Sequence, residues 1–232
     1  MPRNIARIIE EQINSWKFEN TVAKSRPSSQ KKYPIITVSR EFGARGAALG
    51  EYLGELIGFK VWDKELLEAI ANEMGEGIRT IKTLDERRMQ MMEDTVTGFL
   101  ANIPTNMTYL RSLIRVVKTI ESYGNGIIVG RGANYICKNP GAFHVRVVSP
   151  LNKRIIEFAA RQNISLEEAK LTVERKDRER EEFIKKNFHR NVEEPTDYHL
   201  ILNSGEFTID QMVSIVLKAY KKRTGREIKK MV

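Results

Sequence analysis

The stretch Ile35-Ile36-Thr37-Val38-Ser39-Arg40-Glu41-Phe42-Gly43-Ala44-Arg45-Gly46-Ala47-Ala48-Leu49-Gly50 combines a β-branched run, a small-residue turn and a helical start. Phosphate binding is the chemistry this layout serves. The first N–H groups of a helix have no partner within it and lie at the positive end of its dipole, so they attract phosphate oxygens. The expected backbone cradle is Gly43, Ala44, Arg45, Gly46, Ala47 and Ala48, with Arg40 and Arg45 supplying charge. The regular phosphate loop reads G-x-x-x-x-G-K-[ST]. Here Gly46 and Ala47 stand where the lysine and the magnesium-binding hydroxyl belong.

Further cations fall where a parallel sheet would gather them. Arg131 follows the run Ile127–Gly130, and Arg154 opens the helix expected after His144–Val148. Phosphoryl transfer needs substrates positioned and charge on phosphate oxygens neutralised, and the planar fork of arginine suits both tasks. The alternative is a set of surface arginines paired with carboxylates. In Glu174-Arg175-Lys176-Asp177-Arg178-Glu179-Arg180, Arg175 and Arg178 lie three apart and share a helical face. That pattern fits a mobile lid closing arginines over a phosphate, and equally a solvated helix laced with ion pairs. Asp63 follows the second strand, where it can contact a substrate sugar or base, help position magnesium, or cap the next helix. His144, His189 and His199 show no metal-ligand spacing, and Cys137 reads as a small core residue.

These residues need a scaffold, and the sequence supplies a pattern for one. Strands are expected at Ile35–Ser39, Phe59–Trp62, Ile127–Gly130, His144–Val148 and Tyr198–Leu202. Helices are expected at Ala47–Ile57, Lys64–Met74, Ile78–Glu93, Met107–Ser122, Leu151–Arg161, Leu166–Phe188 and Ile209–Lys221, the sixth opened by a Ser165/Glu168 capping box. Strands separated by helices imply an α/β fold with a parallel sheet of five strands and right-handed crossovers. Ligands of such sheets bind beyond the carboxyl ends of the strands. The expected organisation is an amphipathic helical appendage over 1–24 and a linker over 25–34. A main domain then covers 35–222, with a helical insertion at 74–123 and a lid-like helix at 163–190, and a basic tail follows at 223–232.

The chain has 232 residues, 41% hydrophobic and 30% charged, which fits a globular α/β protein. Its net charge of +9 is concentrated toward Lys24–Lys32 and Lys218–Lys230, so nucleic acid ranks last among the partners. A single cysteine, no secretory h-region and no long apolar run point to a cytoplasmic protein without a membrane segment. The apolar stripe Ile5, Ile8, Ile9, Ile13 and Trp16 offers a surface for the core or for a homo-oligomer.

The motifs, taken in order, resemble the cytidylate kinase-like family, a nucleoside monophosphate kinase branch of the P-loop fold. Ser39-Arg40-Glu41-Phe42-Gly43 looks like that branch's phosphate loop, which itself lacks the lysine. Further matches are Val61-Trp62-Asp63-Lys64-Glu65-Leu66, Asp85-Glu86-Arg87-Arg88 and Ile128-Val129-Gly130-Arg131-Gly132-Ala133-Asn134-Tyr135. Arg175-Lys176-Asp177-Arg178-Glu179-Arg180 and Asp197-Tyr198-His199-Leu200-Ile201-Leu202-Asn203 complete the set. The resemblance implies a three-layer fold and an ATP- and Mg2+-dependent transfer to a small nucleotide, CMP or dCMP. It implies that Gly43–Ala48 hold ATP phosphates, and that Asp63, Arg131 and Arg175 face the acceptor with Arg154 in support. Arg178 would reach the transferring phosphate, and Arg45 would replace the missing cation, making Arg45, Arg175 and Arg178 the catalytic set. Two departures stand out. Gly130-Arg131-Gly132 replaces the Gly-Arg-Asp of true cytidylate kinases, and Ala47 and Ala48 replace the branch's arginine and glutamate. A catalytically silent nucleotide-binding protein of the same fold is the competing expectation.

Overall fold

The computed structural model describes residues 33–64, 67, 108–137 and 141–228. The chain divides into two compact units, Met1–Lys32 with Glu65–Ser122 and Tyr33–Lys64 with Tyr123–Val232. In the first unit the described element is α2 (Thr108–Tyr123), whose last residue belongs to the second. Its Leu110, Leu113, Ile114 and Val117 recur at helical spacing and are buried, and Lys118 pairs with Glu121 at 2.8 Å. The expected helices over 4–18 and 78–93, and most of 64–74, lie outside the described residues.

The second unit is an α/β layer structure. Its strands are β1 (Ile36–Arg40), β2 (Lys60–Trp62), β3 (Gly126–Val129), β4 (Phe143–Val148) and β5 (Leu200–Asn203). They form a five-stranded sheet in the order β2-β3-β1-β4-β5, with every pair parallel. Between the strands run α1 (Gly46–Ile57), α3 (Ala133–Ile136), α4 (Leu151–Gln162) and α5 (Leu166–Phe188), and α6 (Ile209–Thr224) closes the chain. All five expected strands are present, displaced by at most two residues at their ends. The four-residue α3 was not expected.

The core follows from the two-residue alternation of strands. Ile36, Val38, Ile127, Val129, Phe143, Val145 and Val147 pack in one buried cluster with Leu49, Leu53 and Ile57 of α1 and Met212, Val213, Val216 and Tyr220 of α6. The intervening residues Thr37, Ser39, His144 and Arg146 point to the other face of the sheet. Burial at about 25 cal/mol per Å2 makes the apolar layer the main stabilising term, so the register is tightly specified. A second small cluster, Ile155, Ala159, Ala169 and Val173 with Phe42, joins α4 and α5 into a hairpin against the loop after β1. The third N–H of α5 is capped by the Ser165 hydroxyl, which accepts from Glu168 at 3.1 Å. Parallel strands bring Arg40, Gly130 and Ser149 to one edge, and there the chemistry-bearing residues collect.

Candidate anion site at the strand ends

The loop from Glu41 to Arg45 is a tight turn fixed at both ends. Glu41 N–H extends the β ladder to the Val147 carbonyl at 3.1 Å, and Ala44 N–H closes back on the Glu41 carbonyl at 3.3 Å. Arg45 is left-handed, at φ 61, and opens α1 without a side-chain cap. The first-turn amides of α1 therefore face the loop, as a phosphate site requires. The Arg45 guanidinium takes a different course. It reaches Glu157 of α4 through Nη2 at 2.7 Å and Nε at 3.2 Å, in an exposed bidentate pair.

Arg154 is 6% exposed and is the hub that fixes the loop. Its Nε donates to the Ser149 carbonyl at 2.9 Å, and its Nη1 donates to the Phe42 carbonyl at 2.9 Å and to the Asp177 carboxylate. Glu41 lies 3.5 Å from the same guanidinium and accepts the Ser149 N–H at 2.9 Å. Asp177 Oδ1 in turn accepts the Phe42 N–H at 2.7 Å. A buried arginine is tolerable when it is paired and its donors are used, and both conditions hold here.

The second loop follows β3. Gly130, Arg131 and Gly132 have φ of 86, 52 and 66, three left-handed residues in succession. A Cβ on Gly130 would collide with the Arg40 guanidinium, and one on Gly132 would lie 2.7 Å from Cζ of Phe188. The glycines thus let Arg40 lie across the loop and let α5 dock on it. The Arg131 guanidinium sits 4.8 Å over the Phe183 ring, and Phe188 stacks on Tyr135 at 5.5 Å.

Helix α5 turns one stripe toward both loops: Asp177, Arg180, Ile184 and Phe188, at spacings of three and four. Arg180 donates to the Arg40 carbonyl at 3.1 Å, and its guanidinium lies 5.3 Å over the Phe42 ring. Burial lowers the Arg180 pKa, Asp177 opposes that, and Arg131 and Arg154 add repulsion. The structure therefore brings Arg131, Arg154 and Arg180 within electrostatic reach of one another, with Asp177 between Arg154 and Arg180, while the Arg40 guanidinium lies against Gly130. It does not bring Arg45, Arg175 and Arg178 together. Arg175 is exposed and paired with Glu179 at 3.0 Å, and Arg178 is exposed. Asp63 is exposed beyond the end of β2. Arg180 and Asp177 were not among the expected site residues. Their spacing from Ile184 and Phe188 was the available signal, because it marks the face of α5 that must pack.

A model of the cytidylate kinase-like family matches residues 35–206. The chain belongs to that family. Among solved structures, an uncharacterized protein from Eubacterium ventriosum superposes with a TM-score of 0.65 at 19% identity, over 82% of this chain and 99% of that one. Shikimate kinase from Acinetobacter baumannii in complex with shikimate gives 0.46 at 11% identity, over 84% and 96% of the two chains. A uronate isomerase from Corynebacterium glutamicum is 27% identical over 132 residues, 56% of this chain, which spans only 25% of that protein.

A second polar group of residues on the other sheet face escaped the sequence reading. Arg146, 5% exposed, donates to the Ser39 hydroxyl at 3.3 Å and lies 5.5 Å over the Tyr198 ring. Desolvation raises the Tyr135 hydroxyl pKa, with the Tyr198 hydroxyl and the Asp197 charge adding to the effect. Residues fit for ATP phosphates are present in the loop amides and in Arg180. For magnesium, Ala47 and Ala48 carry no side-chain oxygen, and the described residues contain no cluster of three metal-binding side chains. No helix among the described residues is long and apolar enough to cross a membrane.

Proposed function

We infer that this cytidylate kinase-like protein is an ATP-dependent phosphotransferase whose acceptor is a small nucleotide, CMP or dCMP. The observation that supports this most is the grouping of Arg131, Arg154 and Arg180 near the loop and Asp177, with the Arg40 guanidinium lying across the second loop at Gly130. Phosphoryl transfer needs little else from a protein, because the acceptor phosphate is already ionised and no general base is required. Loop amides from Gly43 to Ala48 would hold the ATP phosphates, while Arg40 and Arg180 would neutralise charge gathering in the transition state. Arg131 and Asp63 would face the acceptor. Arg175 and Arg178, on the outer face of α5, would join only after that helix rotates or opens, and Arg45 only after leaving Glu157. Magnesium would be carried on the ATP phosphates.

A second reading, a nucleotide-binding protein without turnover, is favoured by the same loop. Ala47 and Ala48 offer no metal ligand, and Arg45, the expected substitute for the lysine, is held by Glu157.

ADP formation from Mg-ATP with a panel of nucleoside monophosphates separates the two, run beside Arg180→Ala. Turnover on CMP or dCMP that falls at least about 100-fold in Arg180→Ala supports the kinase, since removing one such charge stabiliser costs about that much. ATP binding without turnover on any acceptor supports the silent reading.

A further inference from the structure

Asp177 makes contacts that a bound phosphate would make. One of its carboxylate oxygens accepts the Phe42 N–H at 2.7 Å, and the other binds Arg154. Arg180, one turn along the same helix, donates to the Arg40 carbonyl at 3.1 Å and stacks on Phe42. The charge near Arg180 includes Arg131 and Arg154 as well as Asp177. The Asp177 carboxylate therefore sits between the Arg154 and Arg180 guanidinium groups and a backbone donor, with Glu41 on the other side of Arg154, in the loop expected to bind phosphate.

We propose that Asp177 is an internal surrogate for the ligand's phosphate, and that the anion site is closed by α5 until a dianion displaces this carboxylate. The proposal deepens the phosphate-loop reading by naming what regulates that site. Charge and geometry favour the exchange. A phosphate oxygen can accept the Phe42 N–H and the Arg154 fork as a carboxylate does, while carrying more charge and more acceptor oxygens. Displacement also costs something definite. The α5 face that holds Asp177 is anchored by Phe188 against Gly132 and Tyr135, and by Phe183 under Arg131. Releasing Asp177 loosens the middle of α5 while its C-terminal half stays pinned, and Ala169 and Val173 tie its other half to α4, so α5 moves together with α4 about that C-terminal half. That motion is the route by which Arg178, now exposed, can approach the loop. Ligand affinity is then reduced by the fraction of molecules in which Asp177 is in place.

The test uses the full chain and inorganic pyrophosphate without metal, so it reads anion binding and not turnover. Asp177→Asn retains an oxygen for the Phe42 N–H but removes the competing charge. Calorimetry should give a pyrophosphate Kd about tenfold lower for Asp177→Asn than for the unaltered protein, as expected when a closed fraction of about nine-tenths is released. An equal or higher Kd, or no pyrophosphate binding by either protein, overturns the proposal. Hydrogen exchange on the unaltered protein serves as a second measurement if Asp177→Asn does not fold. Saturating pyrophosphate should speed exchange across 174–181 while leaving 184–188 protected. Unchanged or slower exchange across 174–181 overturns it. A protein that binds pyrophosphate as described but turns over no nucleotide retains this proposal and loses the kinase reading.

Discussion

Arg45 and Glu157 form a bidentate pair, with Nη2–Oε1 at 2.7 Å and Nε–Oε2 at 3.2 Å, that joins the loop after β1 to α4. The Arg45 side chain is 42% exposed, so the pair contributes about 0.2–1 kcal/mol and is screened by salt. A cation so placed cannot also stand where a phosphate-loop lysine stands. Arg45→Ala should therefore change ATP affinity less than about threefold, whereas Arg180→Ala should weaken it by at least about tenfold, within the range of a charge-assisted hydrogen bond. Fluorescence titration of both variants with the same nucleotide checks this. A larger loss in Arg45→Ala would mean that the arginine leaves Glu157 when ATP binds.

Gly132 is required by two independent constraints, its φ of 66 and the Phe188 ring where a β-carbon would stand. Left-handed backbone costs a residue with Cβ about 1–2 kcal/mol, and forcing a methyl into a filled contact adds about 1–3. Gly132→Ala should lower unfolding free energy by about 2–5 kcal/mol, read from the midpoint of a urea transition with an unchanged slope. Phe188→Ala in the same background should return part of the loss, because it removes the ring the methyl strikes.

His144 is buried beside Thr37, whose hydroxyl is 2.8 Å from Nδ1, and its ring stacks on His199 at 4.7 Å. Burial, then repulsion from His199, lowers its pKa from 6.5 to about 4. The folded protein therefore holds this imidazole neutral where the unfolded chain would protonate it. Above pH 6.5 the group is neutral in both states and costs folding nothing; as pH falls from 6.5 toward about 4 the unfolded chain binds the proton and stability is lost. The effect is of the order of a few kcal/mol. Melting temperature measured at steps between these limits should fall with acid, and His144→Gln should flatten the slope. A slope unchanged in His144→Gln would assign the acid sensitivity to other groups.

Much of this was legible before the structure, for physical reasons that differ by element. Runs such as Ile35–Val38 and Ile127–Val129 are continuous because strands of a parallel sheet are buried on both faces. The loop after β1 was legible because small residues between a strand and a helix have few other uses. α3 was not, since four residues after the left-handed Gly132 carry no periodicity. The inward face of α5 was not read, because charge guided the choice of Arg175 and Arg178, whereas the apolar stripe ending at Ile184 and Phe188 marks the face that carries Asp177 and Arg180. The contact of Ser39 with Arg146 depends on the β1–β4 register, which no local pattern announces.

Arg154 was expected to support an acceptor nucleotide, and its donors instead bind Ser149, Phe42 and Asp177 within the protein, with Glu41 beside them. Its removal would leave two carboxylates without their shared counter-charge and two carbonyls without a donor. Losing one partner of a buried, hydrogen-bonded pair costs about 3–5 kcal/mol. Arg154→Met, which retains most of the side-chain volume, should lose about that much in chemical denaturation. Arg154→Lys should recover little, because an ammonium cannot span the directions that the guanidinium fork covers. Titration with pyrophosphate separates a structural role from a ligand contact. If Arg154 acts only by holding the loop, Arg154→Lys at temperatures where it is fully folded should bind within about threefold of the unaltered protein. If Arg154 also grips the displacing phosphate, the same variant should bind at least about tenfold more weakly, and the loop and its ligand would share one arginine.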